Sequence, residues 1–113
     1  MEGIEVAPLG SLVDTGAVRT RFSRELAEVA GIQPDDSQTE DFAVGGQRIR
    51  GAPARVTLRL ESDTAAHSWD AAIWFCEPWP FGFQLLGLDG FLRHFRVTIS
   101  AYEEWLECRP ESG

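Results

Sequence analysis

The sequence predicts an all-β fold, a single lobe of about eight short strands with one or two short helices. Three observations support this prediction. From Ala54 to Glu61 apolar and polar residues alternate strictly, which is typical of a half-buried strand. Prolines and glycines separate the remaining apolar runs into short segments. A length of 113 residues with 43% hydrophobic residues suits one globular domain, residues 1–113.

The first third of the chain predicts two short strands and a helix. Residues 4–7 and 11–14 are extended segments joined by a turn, and the run Asp14-Thr15-Gly16-Ala17 forms the loop after the second of them. Ser23 caps a short helix that ends at Gly31. We expect Leu26, Val29 and Ala30 to form its buried face.

The rest of the chain predicts strands separated by loops. Residues 33–41 are polar and are expected to form a solvated loop. A hairpin with Gly45-Gly46 at its turn follows. Further strands are expected at 54–61 (with Val56, Leu58 and Leu60 on one face), 69–75, 83–86, 96–99 and 102–108, with a loop at 77–82 and a helical turn at 90–94 that directs Phe91 and Phe95 inward.

Composition excludes several classes of function. A net charge of −8 argues against nucleic acid as a partner, because phosphate binding needs clustered positive charge. No apolar run is long enough to span a bilayer, and the start of the chain lacks the pattern of a secretory signal, so we expect no membrane association. Cys76 and Cys108 are expected to be reduced thiols in a cytoplasmic protein. His67 and His94 lack metal-ligand spacing, so no metal and no cofactor is expected.

Three motifs follow one another in a characteristic order. They are Leu12-Val13-Asp14-Thr15-Gly16-Ala17, then Val44-Gly45-Gly46-Gln47, and finally Leu85-Leu86-Gly87 followed by Asp89-Gly90-Phe91-Leu92. In this order they resemble the active-site loop, the flap hairpin, and the hydrophobic-hydrophobic-Gly segment of the retropepsin-like aspartic proteases, over nearly the whole chain. The resemblance implies a pepsin-like lobe: a closed β-barrel with a flap hairpin.

The resemblance also implies an activity. The chain would be a homodimeric aspartic endopeptidase, in which Asp14 and its copy in a second chain activate one water for attack on a peptide bond. Two carboxyls held about 3 Å apart cannot both ionise, so one acts as acid and the other as base. Thr15 would brace the two loops against each other, and Gly16 would let backbone and substrate approach closely.

The remaining site residues are also implied by the resemblance. The substrate, a peptide or protein, would contact Ala17, Val44, Gly45, Gly46, Trp79, Phe81, Phe83 and Leu85. Leu86 and Gly87 would support the active-site loop from below. Many retroviral members carry an Arg after the glycine of the third motif, paired with an Asp shortly after the Asp-Thr-Gly. Leu88 and Val18 hold those places here, so both partners are replaced together.

The same motifs also have interpretations that involve no catalysis. Asp-Thr-Gly alone is a common turn sequence, and Gly45-Gly46 alone predicts a plain hairpin as readily as a mobile flap. The fold could also serve as a catalytically silent binding or dimerisation module.

Overall fold

A computed structural model of the protein describes residues 11–13, 17–44, 46–61, 64–100 and 105–111. Within these ranges the chain is mostly β, with eight strands, one α-helix and one 3₁₀ turn. The strands are β1 (Ser11–Val13), β2 (Arg21–Ser23), β3 (Glu40–Val44), β4 (Gln47–Glu61), β5 (Ala66–Glu77), β6 (Gln84–Leu86), β7 (Phe95–Ser100) and β8 (Trp105–Pro110); the helix α1 is Arg24–Ala30 and the 3₁₀ turn is Leu92–His94.

Six strands form one sheet in the order β1-β6-β2-β5-β4-β3, which curls into a half-barrel. Strands β7 and β8 pair separately as an antiparallel ribbon. The all-β prediction is therefore confirmed. Between the described strands the sheet remains open, with β1 and β3 at its edges, so closure into a barrel stays a prediction. The strand expected at residues 4–7, and the first residues of the one expected at 102–108, lie outside the described residues.

Helix α1 begins and ends where the sequence predicts. The Ser23 side chain accepts a hydrogen bond from the Leu26 backbone N–H, and Gly31 ends the helix at φ 72°. The predicted buried face is wrong at one position, since Val29 is 71% exposed. Ala30 is buried as predicted, and Ala27 is buried in place of Val29, because small side chains let the helix lie close to the sheet.

The main core lies on the face of the sheet that α1 covers. Phe22 of β2 and Phe75 of β5 meet edge to face, with ring centroids 6.0 Å apart. The other members of this cluster are Ala27, Val56, Ala71 and Ile73, with Leu26, Ile32, Ala54, Leu58, Trp69 and Leu86 packed against it. Because side chains alternate across a strand, Arg21, Trp74 and Cys76 lie on the opposite face of the sheet.

Strand β4 is longer than the sequence predicts, because it continues through Pro53. The Pro53 carbonyl accepts a hydrogen bond from the Asp35 N–H, so the polar side of this residue faces away from β5. The missing proline N–H therefore removes no bond from the β4–β5 ladder. The predicted alternation is present further along, although burial decreases from Val56 (buried) to Leu58 (half-buried) and Leu60 (39% exposed).

A second aromatic cluster connects β5 with the start of β7. Phe91 and Phe95 are both buried, as predicted, with ring centroids 5.0 Å apart. The Trp69 ring contacts both phenylalanines, and its Nε1–H donates to the Gly90 carbonyl at 2.8 Å. His67 and His94 lie against Trp69 at ring-centroid distances of 5.7 and 5.8 Å. The 3₁₀ turn is thereby fixed against β5.

Candidate active site

The strand that leads to Asp14 pairs in parallel with the strand that leads to Gly87. Leu12 is in register with Leu85, and Val13 with Leu86. Both strands therefore reach their ends side by side. Asp14, Thr15 and Gly16, together with Gly45 of the hairpin, lie outside the described residues, and the chain is described again from Ala17.

Gly87 packs directly against the backbone that leaves the Asp-Thr-Gly run. A Cβ at position 87 would lie 2.2 Å from the Arg19 carbonyl oxygen and 2.8 Å from that of Ala17. Two backbone hydrogen bonds fix the crossing: the Leu88 N–H donates to Ala17 at 2.9 Å and the Asp89 N–H donates to Val18 at 2.7 Å. Only glycine allows two backbones to come this close.

Thr20 completes this crossing, and sequence reasoning missed it. The side chain is fully buried. Its hydroxyl donates to the Asp89 carbonyl at 2.6 Å and accepts from the Gly87 N–H at 3.0 Å. Its own carbonyl accepts from the Trp74 N–H of β5 at 3.1 Å. One threonine therefore joins the segment after Asp14, the segment after β6, and the centre of the sheet.

A group of charged side chains surrounds the same crossing. Arg19 lies 3.0 Å from a Glu40 carboxylate oxygen and 3.6 Å from one of Asp89, and its guanidinium lies 5.0 Å from the centre of the Trp74 ring. Asp89 also pairs with Arg93 at 2.9 Å. Since Glu40 begins β3, this network ties the base of the hairpin to the Gly87 segment. Arg19 follows Val18, and Asp89 follows Leu88. Val18 and Leu88 hold the two places where many retroviral members carry an Asp and an Arg that pair with each other.

The hairpin predicted as a flap is formed by β3 and β4. Val44 pairs with Gln47 at its end, and Gly46 in the turn has φ 80°, a left-handed conformation that favours glycine. An added Cβ at Gly46 would meet nothing within 4 Å, so the described part of the turn projects into open space.

The aromatic residues proposed for substrate contact form one cluster in the loop before β6, in which Trp79 meets Phe81 edge to face and Phe81 stacks on Phe83. The Trp79 and Phe81 rings meet at 5.2 Å, and the Phe81 and Phe83 rings at 5.5 Å. The Trp79 Nε1–H donates to the Phe83 carbonyl at 3.1 Å, which closes the loop on itself. All three side chains are half-buried, as is Leu85 in the following strand. The loop therefore presents apolar surface next to β6.

Arg21 lies beside Leu85, on the same face of the sheet. The two residues are paired across β2 and β6. The Arg21 guanidinium lies 3.8 Å from the centre of the Phe42 ring of β3. Its Nη1 is buried and has no hydrogen-bond partner among the described residues.

Cys76 is fully buried on this same face, as expected for a small apolar residue. Burial raises the pKa of its thiol to about 11, although the nearby Arg21 acts in the opposite direction. The thiol is therefore protonated at neutral pH, and it donates weakly to the Trp74 carbonyl at 3.4 Å. Cys108 is also free.

No protein-family model matches the chain, and no curated protein matches it in sequence.

Within the described ranges, no three His, Cys, Asp or Glu side chains are grouped so that they could hold a metal ion. The same ranges contain no helix of the length and apolarity needed to cross a membrane. The structure brings Ala17, Leu85, Leu86 and Gly87 together at the ends of β1 and β6, and it ties the hairpin to them at its base through Arg19.

Proposed function

We propose that the chain is a homodimeric aspartic endopeptidase with a retropepsin-type lobe, in which Asp14 of each copy shares one catalytic water. The observation that carries this proposal is the close crossing at Gly87. The segments before and after Asp14 both lie against the end of β6, the first through strand pairing and the second through the Ala17 and Val18 carbonyls. Fixing the chain on both sides of Asp14 supports the proposal, because two facing carboxylates must be held close together in order to share a proton.

In the proposed mechanism, one Asp14 carboxylate takes a proton from the water while the protonated Asp14 of the partner polarises the substrate carbonyl. Thr15 braces the paired loops, and Gly16 lets backbone and substrate approach closely. The hairpin tip, Val44 to Gly46, covers the peptide, and the tie between Arg19 and Glu40 fixes the base about which that tip moves. Apolar side chains of the substrate contact Trp79, Phe81, Phe83 and Leu85.

We further propose that this activity belongs to the cytoplasm. The described cysteines support this location, because both Cys76 and Cys108 are free thiols.

The decisive experiment compares Asp14→Asn with the wild-type protein on a degenerate peptide library near pH 5. We expect the wild-type chain to cleave peptides and the variant to lose all cleavage while keeping its melting temperature. Asp70→Asn is the matched control, because it removes the charge of an exposed carboxylate. The Thr57 hydroxyl donates to Asp70, and the amide oxygen of Asn can accept the same hydrogen bond. Cleavage by Asp14→Asn at the wild-type rate would rule out the mechanism. A stable dimer in which even the wild-type chain cleaves nothing would favour the silent binding module.

A further inference from the structure

Arg21 differs from most of the other arginines of this chain in lacking a carboxylate. Ion pairs with Asp or Glu are formed by Arg19, Arg24, Arg48, Arg50, Arg93, Arg96 and Arg109. Within the described part of the chain, no carboxylate oxygen lies within 4.0 Å of the Arg21 guanidinium. Among the described residues Arg21 therefore lacks a carboxylate partner, although the chain carries an acidic surplus and a net charge of −8.

The groups around Arg21 cannot neutralise it. On β3, Glu40 lies on the same face as Phe42, but Arg19 engages its carboxylate at 3.0 Å. The Cys76 thiol keeps its proton at neutral pH because burial raises its pKa to about 11. The Phe42 ring offers only its π face, at 3.8 Å from the guanidinium carbon. A buried guanidinium nitrogen without an acceptor is costly, and a carboxylate is the group that best fits its planar fork.

Arg21 also stands at a suitable place for substrate. It is the cross-strand neighbour of Leu85, and Leu85 is in register with Leu12 on the strand that leads to Asp14. Two strand spacings separate β2 from β1, which is about 10 Å, and an extended peptide covers about 3.3 Å per residue. A substrate side chain two or three residues from the cleaved bond would therefore reach Arg21. The side chain as a whole is only partly buried, so it can be approached from solvent.

From this placement we infer that the peptide substrate carries an aspartate or glutamate whose carboxylate pairs with Arg21. The inference rests on the proposed function and narrows it: the protease would require an acidic residue at one position near the cleaved bond, beside the apolar residues that contact the aromatic loop. The carboxylate would supply the acceptor that the Arg21 Nη1 lacks.

The test measures kcat/KM on a synthetic peptide library in which Glu and Gln, and Asp and Asn, occur as matched pairs at every position. We expect the wild-type protein to prefer the acidic member by about ten- to a hundredfold at one position only. Arg21→Gln should abolish this preference, chiefly by raising KM for the acidic peptides. Arg55→Gln is the control, because it removes the same charge from an exposed side chain of β4 and should keep the preference.

The outcomes separate this inference from the proposed function. If peptides are cleaved without an acidic preference, or if Arg21→Gln keeps it, the inference is wrong and the protease assignment stands. A second readout does not need activity: the NMR signal of the Arg21 Nε–H in wild-type protein should shift with an acidic peptide and not with its amide partner. That shift in a protein that cleaves nothing would support acidic recognition and refute the protease. Equal shifts with the two peptides, or no shift with either, would refute the inference. This measurement uses only the wild-type protein, so it holds even if Arg21→Gln fails to fold.

Discussion

Two stretches of backbone lie against each other at Gly87, so this position should tolerate no side chain. Gly87→Ala would place a methyl group 2.2 Å from the Arg19 carbonyl oxygen, and backbone on both sides cannot yield without breaking the bonds that fix the crossing. We expect a loss of about 3 kcal/mol or more in the free energy of unfolding, measured by urea denaturation. Gly82→Ala is the control, since a Cβ added at position 82 would meet nothing within 4 Å. Equal stabilities of the two variants would contradict this account.

The buried Cys76 thiol should make the stability of the protein depend on pH in the alkaline range. Its pKa is raised from 9.0 to about 11 by burial, so the folded protein holds the thiol proton more tightly than the unfolded chain does. The stability contributed by this thiol is therefore complete below about pH 9 and is lost as the pH rises towards about 11. We expect the melting temperature of the wild-type protein to fall more steeply across this interval than that of Cys76→Ala. Parallel curves for the two proteins would show that the thiol does not ionise on unfolding.

Thr20 shows why single residues can escape sequence reasoning. A threonine between Arg19 and Arg21 in a polar stretch gives no signal of burial, yet its hydroxyl satisfies two backbone groups about seventy residues away along the chain. Its role depends on which loop crosses beneath it, and that is fixed only when β6 lies beside β2. Local pattern contains no information about such a contact.

At the scale of elements, the stability of α1 should depend on the Ser23 cap and not on the exposed Val29 side chain. Ser23→Ala removes the side-chain acceptor of the Leu26 N–H, so we expect a loss of about 1 kcal/mol in the free energy of unfolding. Val29→Ala is the control, because that side chain is 71% exposed and alanine favours the helix. We expect it to change stability by less than about 0.5 kcal/mol. A larger loss of unfolding free energy in Val29→Ala than in Ser23→Ala would mean that Val29 is buried after all. Thermal or urea unfolding followed by circular dichroism measures both.

Local signals predicted the elements well where the chemistry is local. Ser23 and Gly31 delimit the helix, Gly45-Gly46 marks the hairpin turn, and alternation marks the middle of β4. Prediction was wrong where a neighbouring element decides. Val29 fits a helical stripe, but Ala27 faces the sheet because a smaller residue allows closer packing. The strand expected at 54–61 is part of a longer strand, Gln47–Glu61, which runs through Pro53 because the polar side of that residue faces the Asp35 loop rather than β5.

In the candidate site, too, the sequence predicts local features but not the contacts that depend on neighbouring strands. Motif order could suggest that the strands before Asp14 and Gly87 belong together, and their parallel pairing agrees with that suggestion. The sequence spacing could not show the Arg19–Asp89 pair, nor that the Arg21 Nη1 lacks a partner among the described residues, because each depends on the face of a strand and on which carboxylates reach it. Catalysis by Asp14 remains a proposal that biochemistry has to test.

At the scale of the whole molecule, net charge opposes the proposed dimer. Two chains of −8 each repel at long range, and salt screens this repulsion because the Debye length shrinks to about 8 Å at 0.15 M. Association should therefore strengthen as ionic strength rises from a few millimolar towards this value. Experiments on the assembled enzyme belong at the higher salt concentration, where each proposed active site can recruit its second carboxylate.

A mixing experiment at that salt concentration tests whether the site belongs to two chains. Wild-type protein is combined with about a tenfold excess of Asp14→Asn and allowed to exchange subunits, and peptidase activity is then followed at constant wild-type concentration. Because partners assort at random in a symmetric dimer, most wild-type chains then pair with the variant, and activity should fall to about a tenth. An equal excess of Asp70→Asn, which retains Asp14, should cause no such fall. Undiminished activity in the first mixture, with exchange verified by mass spectrometry, would mean that one chain suffices for cleavage.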